Sequence, residues 1–93
     1  MIDKTPLSAE DLISIAARES AATPGPWKSM IEGRDHESGS SFIMTGATGH
    51  RGPDIELHGA TAADYDFIAA CRQDVPRLLA EIQRLRTRLK DEF

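Results

Sequence analysis

Residues 61–91 read TAADYDFIAACRQDVPRLLAEIQRLRTRLKD, and this stretch decides the fold. Its apolar side chains recur at alternating intervals of three and four residues, which is the a/d heptad pattern of a helix that pairs with another helix. The pattern lasts for three heptads, the minimum for such pairing. The sequence therefore predicts a C-terminal amphipathic segment over 61–91 that forms an oligomer interface. Its a/d positions are Ile68, Cys71, Val75, Leu78, Ile82, Leu85 and Leu89.

The heptad register also suggests how two copies meet. Glu81 falls at position g and Arg86 at position e, and these positions pair across a parallel dimer. We therefore expect a homo-oligomer, a dimer or larger, held by the face from Val75 to Leu89.

Pro76 interrupts this segment, because proline lacks an N–H and collides with the carbonyl four residues earlier. Asp74 is a suitable N-cap for a fresh helix that has Pro76 in its first turn. The sequence therefore favours two helices that meet near residues 73–75. The first of them begins after Thr61, with Asp64 three residues later as its capping partner.

The N-terminal part predicts another helix, over residues 9–22. Ser8 and Asp11 have the spacing of a capping box, and Thr23 precedes a proline, which disfavours helical geometry. Between the two helical regions, residues 27–58 predict a three-stranded antiparallel β-meander. Its strands are expected at Trp27–Glu32, Ser41–Thr45 and Asp54–His58, each next to a glycine-containing turn.

These elements together predict a single α+β domain over residues 1–93. A chain this short buries only about 60–65% of its unfolded surface, so association is the expected remedy for a small core. Cys71 is the only cysteine, which suits a reducing compartment. The sequence shows no signal peptide and no apolar run of membrane-spanning length. We therefore expect a cytoplasmic protein that has no membrane partner.

The net charge of −4 is unevenly distributed. Residues 1–71 carry eleven acidic against five basic side chains, whereas residues 72–93 carry four against six. An acidic whole argues against non-specific duplex binding, which depends on neutralising phosphates. The basic C-terminal end is typical of a solvated helix terminus, and a local contact with a partner protein or RNA is the alternative.

The segment ATPGPW, residues 22–27, is a stiff corner, because two prolines fix the backbone on either side of Gly25. The corner delivers Trp27 in a defined direction. One interpretation is that Trp27 fills the core between helix and sheet. The other is that it lines a ligand pocket and stacks on the ligand.

The segment GATGHRG, residues 46–52, spaces three glycines evenly. Glycines allow backbone N–H groups to approach an anion, and His50 and Arg51 would add charge-assisted hydrogen bonds. The Lys-Ser/Thr pair of a Walker loop is missing. A flexible connection is the simpler interpretation, and a phosphate contact through Gly49, His50 and Arg51 is the functional one. With Trp27, these three residues form the predicted ligand-binding set.

The sequence offers no convincing catalytic or metal set. Its histidines, His36, His50 and His58, match no zinc spacing. Nothing positions a nucleophile beside a base. We therefore expect a non-catalytic protein without a cofactor.

The chain resembles the Ead-like small accessory proteins encoded by phages and prophages, which are common in actinobacteria and their phages. The matching residues are the ATPGPW corner (22–27), Phe67 to Ala69, Arg72, and Asp74 to Leu85 with gaps. The chain departs from the pattern at Tyr65, where the family usually has a small residue, and at Cys71, where it usually has alanine. The resemblance implies a phage accessory protein that acts in the cytoplasm of the bacterial host.

Two functions follow from these expectations. The first is an anti-defence sponge that binds and sequesters a nucleotide-derived immune signal, such as a cyclic nucleotide or an ADP-ribose-type ligand. The alternative is an oligomeric adaptor that binds a host factor through its C-terminal helix.

Overall fold

The computed structural model describes residues 5–91, and it has the predicted α+β class. An N-terminal helix, α1 (Ala9–Ala21), is followed by strands β1 (Trp27–Met30) and β2 (Phe42–Thr45) and by a long helix, α2 (Ala62–Asp91). The strands pair antiparallel, with Trp27 opposite Thr45 and Met30 opposite Phe42. Helix α2 packs against both strands, and α1 packs against α2.

The predicted helix starts are confirmed. At α1 the Asp11 N–H donates to Ser8 Oγ over 3.0 Å, and the Ser8 N–H donates to Asp11 Oδ2 over 2.9 Å. Thr61 and Asp64 make the same reciprocal pair at α2, over 3.1 and 2.9 Å. Each box satisfies two N–H groups that the first helical turn leaves without a partner. Helix α1 ends at Ala21, one residue before the predicted end, with Ala22 as its C-cap.

The prediction of a third strand is wrong. Residues 54–58 contribute one isolated bridge, in which Ile43 and Ile55 exchange hydrogen bonds of 2.7 and 2.9 Å. Side chains take the backbone groups on either side of this bridge: the Pro53 carbonyl accepts from Thr45 Oγ1, and the Leu57 N–H donates to Tyr65 Oη. The ladder therefore stops after one residue pair.

The two true strands are also slightly shorter than predicted. Strand β1 ends at Met30 instead of Glu32, because the next two N–H groups donate to side chains. Ile31 N–H donates to Asp35 Oδ2 over 2.8 Å, and Glu32 N–H donates to Ser41 Oγ over 3.0 Å. Strand β2 correspondingly begins at Phe42 instead of Ser41, because the ladder ends with the Met30–Phe42 pair.

The prediction of two C-terminal helices is wrong as well. Helix α2 runs without a break from Ala62 to Asp91, and Pro76 lies inside it. Asp74 is an interior helical residue and caps nothing.

Helix α1 explains why α2 stays continuous, because it lies antiparallel along α2 on both sides of Pro76. Before the proline, the Arg72 guanidinium donates to the Glu19 carbonyl over 2.9 Å and pairs with the Glu19 carboxylate. After it, Arg86 Nη2 donates to the Leu7 carbonyl over 2.7 Å. Packing along this length offsets the roughly 3 kcal/mol that an interior proline costs a helix.

Gln73 joins α2 to the sheet at the first residue of β1. Its Oε1 accepts the Trp27 N–H over 2.7 Å, and its Nε2 donates to the Trp27 carbonyl over 3.1 Å. The same Nε2 also donates to the Ala69 carbonyl over 3.1 Å. One side chain therefore fixes the height at which the strand crosses the helix.

The core is very small for a chain of this length. Within residues 5–91 the buried side chains are Ile43, Thr45, Tyr65 and Ala69. The radius of gyration is 16.7 Å, against about 12 Å for a compact domain of this size. The described part of the chain contains no helix with the length and apolar character that a membrane crossing requires.

Candidate functional site

The predicted interface residues form an apolar stripe along α2, defined here as Val75, Leu78, Ile82, Leu85 and Leu89. Leu78, Leu85 and Leu89 are 60%, 43% and 56% exposed, and Val75 and Ile82 are half-buried. These three leucines share one face of α2. The structure therefore presents the stripe outward.

An apolar hollow continues this stripe toward the N-terminal end of α2. The Trp27 hollow has a volume of about 350 Å³ and opens between α1, α2 and the start of β1. It is lined by Ile15, Arg18, Glu19, Trp27, Ile68, Cys71, Arg72 and Val75. Val75 belongs to both features, so the stripe and the hollow form one surface.

Two fixed groups shape the wall of the Trp27 hollow. The Trp27 indole packs against the buried core from one side, and its Nε1 donates to the Thr23 carbonyl over 3.1 Å. Arg72 is held by Glu19, as described above. Trp27 therefore packs on the core, as the first interpretation expects, and also lines an open hollow. Stacking on a ligand stays a prediction.

Arg18 is the exposed cation at the rim of the hollow. The structure assigns its guanidinium no hydrogen bond or ion pair within residues 5–91. An indole beside an available guanidinium suits a planar anionic ligand, because the ring stacks on a base and the cation meets a phosphate.

Three backbone N–H groups of the Gly46–Gly52 loop already donate to carbonyls of the loop or of neighbouring segments. Gly46 N–H donates to the Pro26 carbonyl over 2.9 Å, His50 N–H to the Ala47 carbonyl over 2.8 Å, and Gly52 N–H to the Thr45 carbonyl over 3.0 Å. A phosphate cradle needs such N–H groups pointing at the ligand. These three bonds favour the glycines as requirements of a tight turn.

The predicted ligand-binding residues do not share one hollow. His50 lines a second, smaller hollow of about 280 Å³ with residues of the 23–25 corner and of its own loop. Gly49 and Arg51 are exposed and line neither this hollow nor the Trp27 hollow. Trp27 and the loop are therefore separate features on either side of the corner.

The three histidines lie in three different environments. His36 is tucked beneath its own loop, where Nδ1 accepts the Ser38 N–H over 3.0 Å and Nε2 lies 3.1 Å from the Met30 carbonyl oxygen. His50 faces the smaller hollow, and His58 is exposed near the start of α2. Within residues 5–91, no three His, Cys, Asp or Glu side chains are placed to hold a metal ion.

A charged cluster ties the loop after β1 to α2. Arg34 donates to both Asp66 oxygens over 2.8 and 2.9 Å, and to Asp35, while Ser29 Oγ donates to Asp66. The Arg34 guanidinium, and then the Ser29 hydroxyl, hold the pKa of Asp66 far below its ordinary value of 3.8. Arg34 likewise lowers the pKa of Asp35. The mutual satisfaction of these groups makes the cluster a structural clamp.

Sequence reasoning missed several residues of this surface. Ile15, Arg18 and Glu19 line the hollow from α1, and Gln73 positions its tryptophan. The apolar face of α1 was a signal for Ile15. No local pattern indicated Gln73, because a single polar residue inside a helix has many uses.

Comparison with known proteins adds no relative to these observations. No protein-family model, no curated protein and no solved structure matches this chain.

Proposed function

We propose that this chain is a non-catalytic protein that works by binding other protein chains, itself included, through the apolar stripe of α2. The observation that carries the proposal is the contrast between core and surface. Ile43, Tyr65 and Ala69 are the buried apolar side chains of residues 5–91, while three leucines of one helix face remain 43–60% exposed.

Burial of the stripe in an interface would be energetically favourable. Burying apolar surface stabilises by about 25 cal/mol per Å², and a domain with so small a core has little other stabilisation. A second helix laid along the stripe would cover the leucines and extend the core. In the setting suggested by the Ead-like resemblance, this is an oligomeric phage accessory protein that disables a host factor in the bacterial cytoplasm.

The test compares two aspartate variants in the stripe with one outside it. Leu78→Asp and Leu85→Asp place a charge on the stripe, and Ala80→Asp places the same charge on an exposed position elsewhere on α2. Multi-angle light scattering at about 100 µM should find the wild type and Ala80→Asp as dimers or larger. The stripe variants should be monomers with unchanged helical circular dichroism, because their leucines are exposed within one chain. A monomeric wild type would contradict the proposal.

Ligand sequestration is the second candidate function, and the Trp27 hollow favours it. Its volume of about 350 Å³ lies within the roughly 300–1,000 Å³ of small-molecule sites. An indole wall and the Arg18 guanidinium suit a cyclic nucleotide or an ADP-ribose-type ligand. In this function the protein would act as an anti-defence sponge for an immune signal.

Thermal shift assays distinguish the two ligand positions. A ligand at one hundred times its Kd adds about 2.7 kcal/mol, which should raise the Tm of a domain this size by roughly 10 °C or more. Arg18→Ala should abolish the shift if the Trp27 hollow is the site, and Arg51→Ala should abolish it if the glycine loop is. A panel of cyclic nucleotides and ADP-ribose derivatives that shifts neither Tm nor Trp27 fluorescence would exclude this function and leave the first.

A further inference from the structure

The flank of the stripe at the heptad e positions is already covered by α1. These positions are Arg72, Leu79 and Arg86. Arg72 is bonded to Glu19, Arg86 donates to the Leu7 carbonyl over 2.7 Å, and Leu79 is half-buried between them. The two outer e positions are therefore bonded to α1 and to the residue just before its N-cap, and half-buried Leu79 lies between them on α2.

The opposite flank, at the g positions, is open. Phe67 is 71% exposed, and Asp74 and Glu81 border an open depression together with Leu78. Glu81 contacts Arg84 of the same helix over 2.6 Å, and both side chains are about half exposed. A partner helix therefore has room on the a, d and g positions only.

We propose that two copies associate with their α2 helices antiparallel, an inference that rests on the proposed function. In a parallel pair each g position faces an e position of the partner, where α1 of the partner lies. The Glu81–Arg86 pairing expected from sequence would then require Arg86 to leave Leu7. In an antiparallel pair g faces g and e faces e, so the open flanks meet and the two α1 helices lie on the other side.

The apolar spacing fits this orientation, and one register uses every residue of the stripe. Antiparallel helices alternate a with d across the seam, which sets Ile82 against Leu78 of the partner subunit and Val75 against Leu85 of the partner subunit. The twofold axis then crosses the seam at the height of residue 80, whose f position lies on the face of α2 away from the partner. Each layer occurs twice by symmetry, so an isologous interface uses the whole stripe.

The charges at the g positions are consistent with the same register. Asp74 faces Arg88 of the partner subunit, and this opposite-charge contact occurs twice. Glu81 faces Glu81 of the partner subunit at the axis, and each carboxylate is neutralised by the Arg84 of its own helix. Two attractive contacts therefore flank one compensated position.

The register also gives the Trp27 hollow an occupant. Leu89 packs against the Cys71 position of the other chain, and Cys71 lines that hollow beside Trp27. Within one chain, Leu89 lies about 27 Å along the helix from Cys71. The leucine that fills each hollow is therefore Leu89 of the partner subunit, and the hollow is complete only in the dimer.

Disulfide trapping in a Cys71→Ser background tests the orientation. In the proposed register residues 75 and 85 of different chains are neighbours, whereas each is about 15 Å along the axis from its own copy, too far for a disulfide. A mixture of Val75→Cys and Leu85→Cys chains should therefore cross-link under mild oxidation, and neither variant alone should do so. Cross-linking of Leu85→Cys alone would show a parallel pair and overturn the inference while leaving association intact.

Trp27 fluorescence provides a second readout, since it is the only tryptophan. Leu89→Ala should red-shift its emission at dimer concentrations by opening the hollow to water, and should leave the emission of diluted monomers unchanged. A dimer that forms no cross-link in any combination, or whose emission ignores Leu89→Ala, would overturn the proposed register. A wild type that is monomeric throughout would overturn the proposed function as well.

Discussion

Gly46 shows at the scale of one residue how tightly the loop after β2 is closed. Its φ of +83° lies in the left-handed region, and an added Cβ would overlap the His50 carbonyl oxygen and approach Gly52 N to 2.9 Å. Both neighbours are backbone atoms, so the overlap could be relieved only by a shift of the backbone and not by a side-chain rotation. Gly49 shares the positive φ of +85° but faces open space.

These two glycines give a matched pair of variants. Gly49→Ala should cost about 1 kcal/mol from backbone strain alone, whereas Gly46→Ala should cost more than about 2 kcal/mol, because overlap adds to the strain. Urea denaturation measures both. Equal losses would mean that the loop opens freely around Gly46.

Arg34 and Asp66 predict a pH dependence of stability. The folded-state pKa of Asp66 lies below its unfolded value, so its contribution is fully present above about pH 4 and is lost as pH falls through the folded pKa. Arg34→Ala should raise the pKa of Asp66 toward 3.8 in an NMR titration and flatten the acid limb of the stability curve. Arg84→Ala, which removes only the contact with Glu81, should leave the Asp66 pKa unchanged. An unmoved Asp66 titration in Arg34→Ala would contradict the clamp.

The residue scale also marks the limit of sequence reasoning. Capping pairs such as Ser8 with Asp11 can be predicted from sequence, because the two residues are only three positions apart. The hydrogen bonds of Tyr65 cannot, because its hydroxyl contacts Leu57 and Ser41, 8 and 24 positions earlier. Such distant partners depend on the fold itself, so the trapping of the third segment by Tyr65 had no signature in the sequence.

At the scale of elements, the prediction of two C-terminal helices rested on Pro76. Local propensity favoured two, and the prediction was wrong because α1 contacts α2 on both sides of the proline. The information about this contact lies in residues 7–19, about sixty positions away. Helix existence, caps and the heptad pattern were predictable, whereas the support that one helix gives another was not.

A continuous helix predicts that Pro76→Ala stabilises the protein. Alanine restores the N–H bond to the Arg72 carbonyl and removes the ring clash, which should add about 1–3 kcal/mol after the loss of some contact with α1. Thermal unfolding should show the gain, and Pro53→Ala in the loop should not. A lower Tm for Pro76→Ala would indicate that the proline is needed for a bend in α2.

At the scale of the whole molecule, association and stability are one quantity. If the stripe is buried between copies, unfolding also separates them, and each tenfold rise in concentration adds about 1.4 kcal/mol per dimer. The Tm should then rise by roughly 3–6 °C per decade of protein concentration. Leu85→Asp should have a lower Tm that does not depend on concentration, while Ala80→Asp should behave as the wild type. A concentration-dependent Tm that survives Leu85→Asp would place the interface elsewhere.

The carboxamide of Gln73 has a consequence for solubility. Trp27 presents its N–H and C=O on the side of β1 that faces away from β2, and an edge strand with such free groups recruits further strands into aggregates. Gln73 supplies one acceptor and one donor in the pattern of a neighbouring strand, yet a side chain offers no continuing backbone for growth. The helix thereby ends the sheet at β1, and fibrils that grow by strand addition lose their starting point at Trp27.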